Sequence, residues 1–258
     1  MSSFDPDWWR KIFDELYLAT DARSIANDEI TRTEVDLIEK LLEPRPDDLI
    51  LDLCAGQGRH SLELSRRGYE NIVLIDYSMP LLILGYHVAR RQDIVLNFIR
   101  CDARFLCLTE SSFDHVIIMG NSFGYFRNDA DNFAILAEVA RILKPGGKIL
   151  VDLINRDYMM NQFRPQSWHE ADEDLVVCRD RTLDNEGIVV RELVLSKQKG
   201  LLRDLTYFSR LYCKEELNDI FRHAGFEKVC FLDEFAPHSI KADYGMLTNR
   251  TIVSAIAG

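Results

Sequence analysis

From about residue 49 the chain alternates short apolar runs with helical patterns, and this rhythm constrains its fold more than any other feature. Leu49 to Leu53 is a short apolar run that stops at Gly56, as a buried parallel strand does. Ser61 to Arg67 reads as a helix ended by Gly68, and Asn71 to Ile75 as a second strand closed by Asp76. Pro80 to Arg91 is the next helix, with proline in its first turn. Strands at 94–100, 113–119 and 148–154 follow, with a helix over Asp129 to Leu143 that ends at Pro145-Gly-Gly147. The rhythm resumes with a helix over 214–224 and strands at 227–232 and 250–256. Strands alternating with helices at this spacing predict a doubly wound α/β domain whose mostly parallel, seven-stranded sheet is covered on both faces.

Two segments break the rhythm. Residues 1–44 are helical in pattern, Trp8 to Leu18 and then Asp28 to Leu42, and form an N-terminal helical cap on a main domain of residues 45–258. Between about 166 and 212 the apolar period falls to two. Asp174–Arg179, Ile188–Leu195 and Leu201–Tyr212 read as three strands of an antiparallel β insert, turning at Asp184–Gly187 and Lys199-Gly200.

Composition narrows the function. The net charge is −11, and the basic residues are dispersed apart from pairs such as Arg66-Arg67 and Arg90-Arg91, which disfavours nucleic acid as a partner. No run of about 18 apolar residues exists, so no membrane span is expected. The N-terminus is acidic and aromatic, without the basic start and apolar stretch of a signal peptide. The six cysteines show no CxxC pairing, which reads as free thiols in a reducing cytoplasm and no zinc site.

The strongest local signal is the turn after the first strand, where Asp52 precedes Gly56 and Gly58. Glycines let a ligand approach the backbone, and the carboxyl ends of strands are where open α/β sheets bind ligands. A GxG turn also opens dinucleotide folds, but Ser61 stands where their third small residue falls. Asp52 can pair with an ammonium and would repel a pyrophosphate. Asp76, at the end of the second strand, can accept two hydrogen bonds from ribose hydroxyls; capping the next helix is its structural alternative. Asp102 follows the third strand and can accept from an adenine amine, with the Ala103 N–H donating to the ring. Three carboxylates at three successive strand ends suit an amine, a ribose and an adenine.

This order of motifs, with Leu143-Lys-Pro-Gly-Gly-Lys148 before the fifth strand, resembles the class I S-adenosylmethionine (SAM)-dependent methyltransferases. The resemblance covers roughly residues 30–258. Gly58-Arg-His60, Asn121–Phe126 and Leu211-Tyr212 are similar to a bacterial and archaeal group acting on small molecules. Ala55 before Gly56, where many relatives carry cysteine, is a conservative departure. The resemblance implies a Rossmann-like methyltransferase fold, with SAM as cofactor and S-adenosylhomocysteine as product. It implies a cofactor set of Asp52, Ala55, Gly56, Gly58, Asp76, Tyr77, Asp102, Ala103 and Asn121.

Methyl transfer from a sulfonium needs orientation and exclusion of water more than it needs a base. The catalytic group is therefore open, with His169, Tyr125 and Asn121 as candidates, and no metal is expected. The cap (Trp8, Trp9, Phe13, Tyr17) and the insert (Trp168, His169, Tyr207, Arg210, Tyr212) should close the methyl end. Tyr17, Trp168, His169, Arg210 and Tyr212 are the expected contacts to a small-molecule acceptor. Removing residues 1–18 is then expected to leave cofactor affinity within a few-fold but to abolish turnover. The rival use of the insert is as a homodimer interface. The competing functions are an RNA or protein methyltransferase, an NAD(P)-dependent oxidoreductase, and a SAM-binding protein without catalysis.

Overall fold

The computed structural model describes residues 5–21, 27–237 and 248–258. Two short helices, α1 (Trp9–Ile12) and α2 (Glu15–Thr20), precede the long α3 (Asp28–Leu42). The single helix expected over Trp8 to Leu18 is broken at Phe13 and restarts because the Asp14 side chain accepts from the Tyr17 N–H as an N-cap. The core then runs β1 (Ile50–Leu53), α4 (Arg59–Arg66), β2 (Ile72–Asp76), α5 (Met79–Arg91), β3 (Asn97–Arg100), β4 (Phe113–Ile118), α6 (Asp129–Ile142) and β5 (Leu143–Ile154). It closes with α8 (Lys214–His223), β10 (Phe226–Phe235) and β11 (Arg250–Ala257).

These strands form one seven-stranded sheet in the order β10-β11-β5-β4-β1-β2-β3. The pairs among β1 to β5 are parallel, while β11 pairs antiparallel with β5 and with β10. Alternation within β1 explains the two buried faces. Leu51 and Leu53 pack with α6 and α8, while Ile50 joins Val35, Ile38 and Leu42 of α3 on the opposite face. The strand order reverses between β1 and β4, so a crevice opens at their carboxyl ends.

Between β5 and α8 lie a short helix α7 (Arg156–Asn161) and a separate antiparallel sheet. That sheet has four strands, β6 (Gln166–Glu170), β7 (Leu175–Leu183), β8 (Gly187–Ser196) and β9 (Gly200–Arg210), in sequential order. The additional strand, β6, is an edge strand whose only large apolar side chain, Trp168, is 71% exposed, so it carries no alternating apolar face to read. Trp8, Trp9 and Ile12 bury against Ile188, Val190 and Tyr207 of the insert, which joins the cap to this sheet. Among the described residues no helix is long and apolar enough to cross a membrane.

A buried charge network ties the cap to the core. Arg250 on β11, 1% exposed, bonds Asp152 on neighbouring β5 and donates to Glu34 Oε1 of α3 at 2.6 Å. Glu34 Oε2 meets His60 Nε2 at 2.9 Å and Arg59 of α4. Asp152 Oδ2 accepts the Gly120 N–H at 2.9 Å, fixing the loop after β4. Removing one partner of such a buried set leaves charge uncompensated. Arg250→Ala should therefore cost about 3–5 kcal/mol in urea unfolding. A loss below about 1 kcal/mol, the level of exposed ion pairs, would show that the network is not what holds α3 to the sheet.

Candidate functional site

The turn after β1 is built by three left-handed residues, Cys54 (φ 59°), Gly56 (φ 60°) and Gly58 (φ 76°). Gly58 combines a left-handed backbone with close packing: a Cβ there would lie 2.2 Å from Leu74 Cδ2 of β2, so that side chain would have to shift. Gly85 lets α5 close on the same turn, because its Cβ would fall 2.4 Å from the Gln57 carbonyl oxygen. Backed this tightly, the turn presents its backbone to the crevice.

Three carboxylates converge there, each in a different electrostatic state. Asp52, 1% exposed, accepts from Ser61 Oγ at 2.7 Å, and burial raises its pKa. Asp76 accepts the Gly56 N–H at 2.7 Å through Oδ2 and the Ser78 N–H at 2.7 Å through Oδ1. Burial outweighs these bonds and pushes its pKa up to about 6. The cap of α5 is Ser78, whose hydroxyl accepts the Leu81 N–H, so Asp76 is not its N-cap. At Asp102 burial is outweighed by Arg104, whose Nη2 (2.8 Å) and Nε (3.1 Å) lower the carboxyl pKa.

The cleft encloses about 1190 Å³, including the space at its mouth. Asp52, Ala55, Gly56, Asp76, Tyr77, Asp102 and Ala103 line it, while Gly58 shapes the turn from behind. The cap covers this cleft directly. Trp9 packs edge-on to Tyr77 (4.7 Å between ring centroids) and Phe126 (5.7 Å), and Ser78 Oγ donates to the Phe13 carbonyl. Trp9, Phe13 and Tyr17 all line the cleft.

A second cavity of about 720 Å³ shares Phe13, Tyr17, Gly120 and Tyr125 with the first. Asn121 lines this second cavity, with Oδ1 accepting the Ile154 N–H at 3.0 Å and Nδ2 3.4 Å from Ser209 Oγ. Four of the expected acceptor contacts line neither cavity. Trp168 points outward from the edge strand, and His169 Nε2 lies 3.3 Å from the Thr20 carbonyl. Arg210 pairs with Asp129 at 3.0 Å at the start of α6, and Tyr212 stacks on Phe123 at 5.8 Å. The insert instead contributes Arg179, Arg181, Glu192 and Tyr207, which cross-strand register places on the face turned to the cap. The signal in the sequence is the charged run Arg179-Asp180-Arg181 and the pair Arg191-Glu192 inside otherwise apolar strands.

The donor set distinguishes between nucleotide ligands. Among the described residues, Asp52 is hydrogen-bonded by a hydroxyl and Asp76 by backbone N–H groups, while the nearby Arg59 is engaged by Glu34 and by Thr31 at 3.0 Å. A pyrophosphate at this turn would face two carboxylates, whereas the amino group and ribose of SAM meet the acceptors they need. The residues present therefore fit SAM.

Comparison with known proteins agrees. Residues 50–147 match the family model described as a methyltransferase domain. The chain is 29% identical over 131 residues to the glycine/sarcosine N-methyltransferase of Aphanothece halophytica, covering 50% of this chain and 49% of that protein. It is 38% identical over 112 residues to the demethylmenaquinone methyltransferase of Corynebacterium kroppenstedtii, covering 43% and 44%. The chain thus spans about half the length of these curated relatives. The fold superposes on an S-adenosylmethionine-dependent methyltransferase from Clostridium acetobutylicum with a TM-score of 0.75 at 16% identity, over 94% of this chain and 97% of that one. Residues 50–147 thus match a methyltransferase domain, and the fold of the chain is that of the SAM-dependent methyltransferase on which it superposes.

Proposed function

We propose that this chain methylates a small molecule held in the second cavity, with SAM in the cleft. The observation that carries the reading is the junction itself, where two cavities of different character meet at Phe13, Tyr17, Gly120 and Tyr125. When bound, SAM supplies an electrophilic methyl group whose bond to sulfur breaks, with its electron pair, as the acceptor's bond to carbon forms. The chain's part is to bind, orient and exclude water. In this reading Asp76 accepts the ribose hydroxyls, Asp52 faces the amino group, and Ala103 and the remaining acceptor capacity of Asp102 meet the adenine.

Trp9 and Phe13 close the cleft from above. Burial raises the pKa of Tyr17 and Tyr125 well above the usual phenol value, so at neutral pH both are protonated and act as donors or walls rather than bases. His169 stands outside both cavities, and both ends of Asn121 are engaged in holding the β4 loop. Positioning therefore carries the catalysis, and the acceptor's nucleophile is one that arrives unprotonated or loses its proton to solvent. A net charge of −11 supports a small-molecule acceptor over RNA.

Three outcomes follow. S-adenosylhomocysteine should raise the melting temperature by mass action, and Asp76→Ala should weaken its binding more than tenfold, because hydrogen bonds to a charged group are worth about 1.5–3 kcal/mol. Unchanged affinity in calorimetry would return Asp76 to a purely structural role.

Acidification tests the same carboxylate. Its pKa of about 6 means that the free protein protonates Asp76 as pH falls below that value. Relative to the unfolded chain, burial favours the protonated form, so this group's contribution to stability is largest at low pH and is lost as pH rises through about 6. Binding runs the other way, since ribose needs the ionised acceptor. Affinity should be level above pH 7 and fall by up to roughly tenfold per pH unit below about 6. Asp76→Asn should flatten that profile, and an unaltered slope in this variant would assign the titration to another group.

Trp9→Ala should weaken S-adenosylhomocysteine about tenfold through loss of the aromatic cover, whereas affinity within a factor of about two would limit the cap to the acceptor side.

A further inference from the structure

Beyond the shared aromatic wall, the second cavity ends on the inner face of the insert sheet, and that face is charged. Arg179 and Arg181 of β7 and Glu192 of β8 line it. Arg179 pairs across the strands with Glu192 and Arg181 with Val190, so these side chains project to one side. Glu192 is 2% exposed and Arg181 7%.

The carboxylates at this end are already engaged. Glu192 Oε2 accepts Arg179 Nε at 2.8 Å, and its Oε1 lies 3.6 Å from Arg203 Nη1. Both oxygens of Asp21, from the residue after α2, accept Arg179 Nη2 at 3.1 Å. The plane of the Arg179 guanidinium is thereby set, while among the described residues its Nη1 has no hydrogen bond. Arg181 is anchored on the same face, with Nη1 3.4 Å from the Arg164 carbonyl. A cation entering this end meets two guanidinium groups and carboxylates already paired. A planar anion meets preset N–H donors, the geometry that arginine offers to carboxylates.

We infer that the methyl acceptor is a small organic acid, its carboxylate against Arg179 and Arg181 and its reacting atom at the constriction of Phe13, Tyr17 and Tyr125. This assignment rests on the methyltransferase reading above. Trp8, Ile12, Tyr207 and Phe208 add apolar and aromatic wall to the same cavity, so the body of the acid is apolar or aromatic as well.

Benzoate and benzamide test this, one carrying the anionic group and the other its neutral counterpart of equal shape. Each is titrated against the full chain saturated with S-adenosylhomocysteine, with melting temperature and calorimetry as readouts. Benzoate should raise the melting temperature above that of the S-adenosylhomocysteine complex, and benzamide should not. Arg181→Gln should weaken benzoate more than about tenfold while S-adenosylhomocysteine affinity, the check on folding, stays within about twofold; Arg181→Lys should recover part of the response. Equal binding of the two probes overturns the inference, as does no benzoate response in a chain that binds S-adenosylhomocysteine, or undiminished benzoate binding by Arg181→Gln. If S-adenosylhomocysteine itself does not bind, the methyltransferase reading falls instead.

Discussion

Burying the Arg250 guanidinium between Glu34 and Asp152 dictates where the parts around the cleft can sit. Arginine keeps its charge inside a protein, so both carboxylates have to be delivered to it with good geometry. Glu34 brings α3 with it, and Asp152 brings the centre of β5. The spare capacity of the same two acids then organises the ligand side. Glu34 holds Arg59 and His60 at the start of α4, and Asp152 holds the Gly120 N–H beside the junction of the two cavities. Charge repulsion and desolvation oppose every one of these groups singly, and only the assembled set is favourable.

The two cavities are stabilised by different physics. The first cleft rests on backbone: a left-handed turn wedged between Leu74 and Gly85, whose Gly56 N–H meets the Asp76 carboxylate. The second cavity rests on side chains, with aromatic packing of Trp8 on Tyr125 (5.0 Å) and Tyr207 (5.4 Å), and ion pairs of Arg179 and Arg203 with Asp21 and Asp14, which flank α2. Backbone geometry of this kind is demanded by steric limits that any sequence must respect, whereas side-chain geometry depends on which residues happen to face each other.

That difference explains what could be read without coordinates. The strand ends, the glycine turn and the three aspartates are local: an apolar run, then a carboxylate, then glycine. Their arrival in one cleft follows from the parallel sheet alone. Trp168, His169, Arg210 and Tyr212 were sought in the site because they are aromatic or polar and lie in the insert, but facing is a matter of strand register. A shift of one residue in the register of β7 would exchange Arg179 and Arg181 for Cys178 and Asp180. The bond from Glu34 to Arg250 spans 216 residues, and no periodicity in either neighbourhood announces it. The break at Phe13 was hidden for a third reason, because the apolar pattern of two short helices in line matches that of one long helix.

Among the described residues the insert sheet exchanges no ladder hydrogen bonds with the main sheet, and its inner face meets the cap and the loop after β4. The glycine turn is held by other elements, β2 and α5. Drift in β7 and β8 can re-cut that inner face while the turn set by β1 and β2 is left alone. A fold divided in this way is a chassis with an exchangeable tool head, and diversification among such chains should concentrate in the few alternate positions of the insert that face the cap.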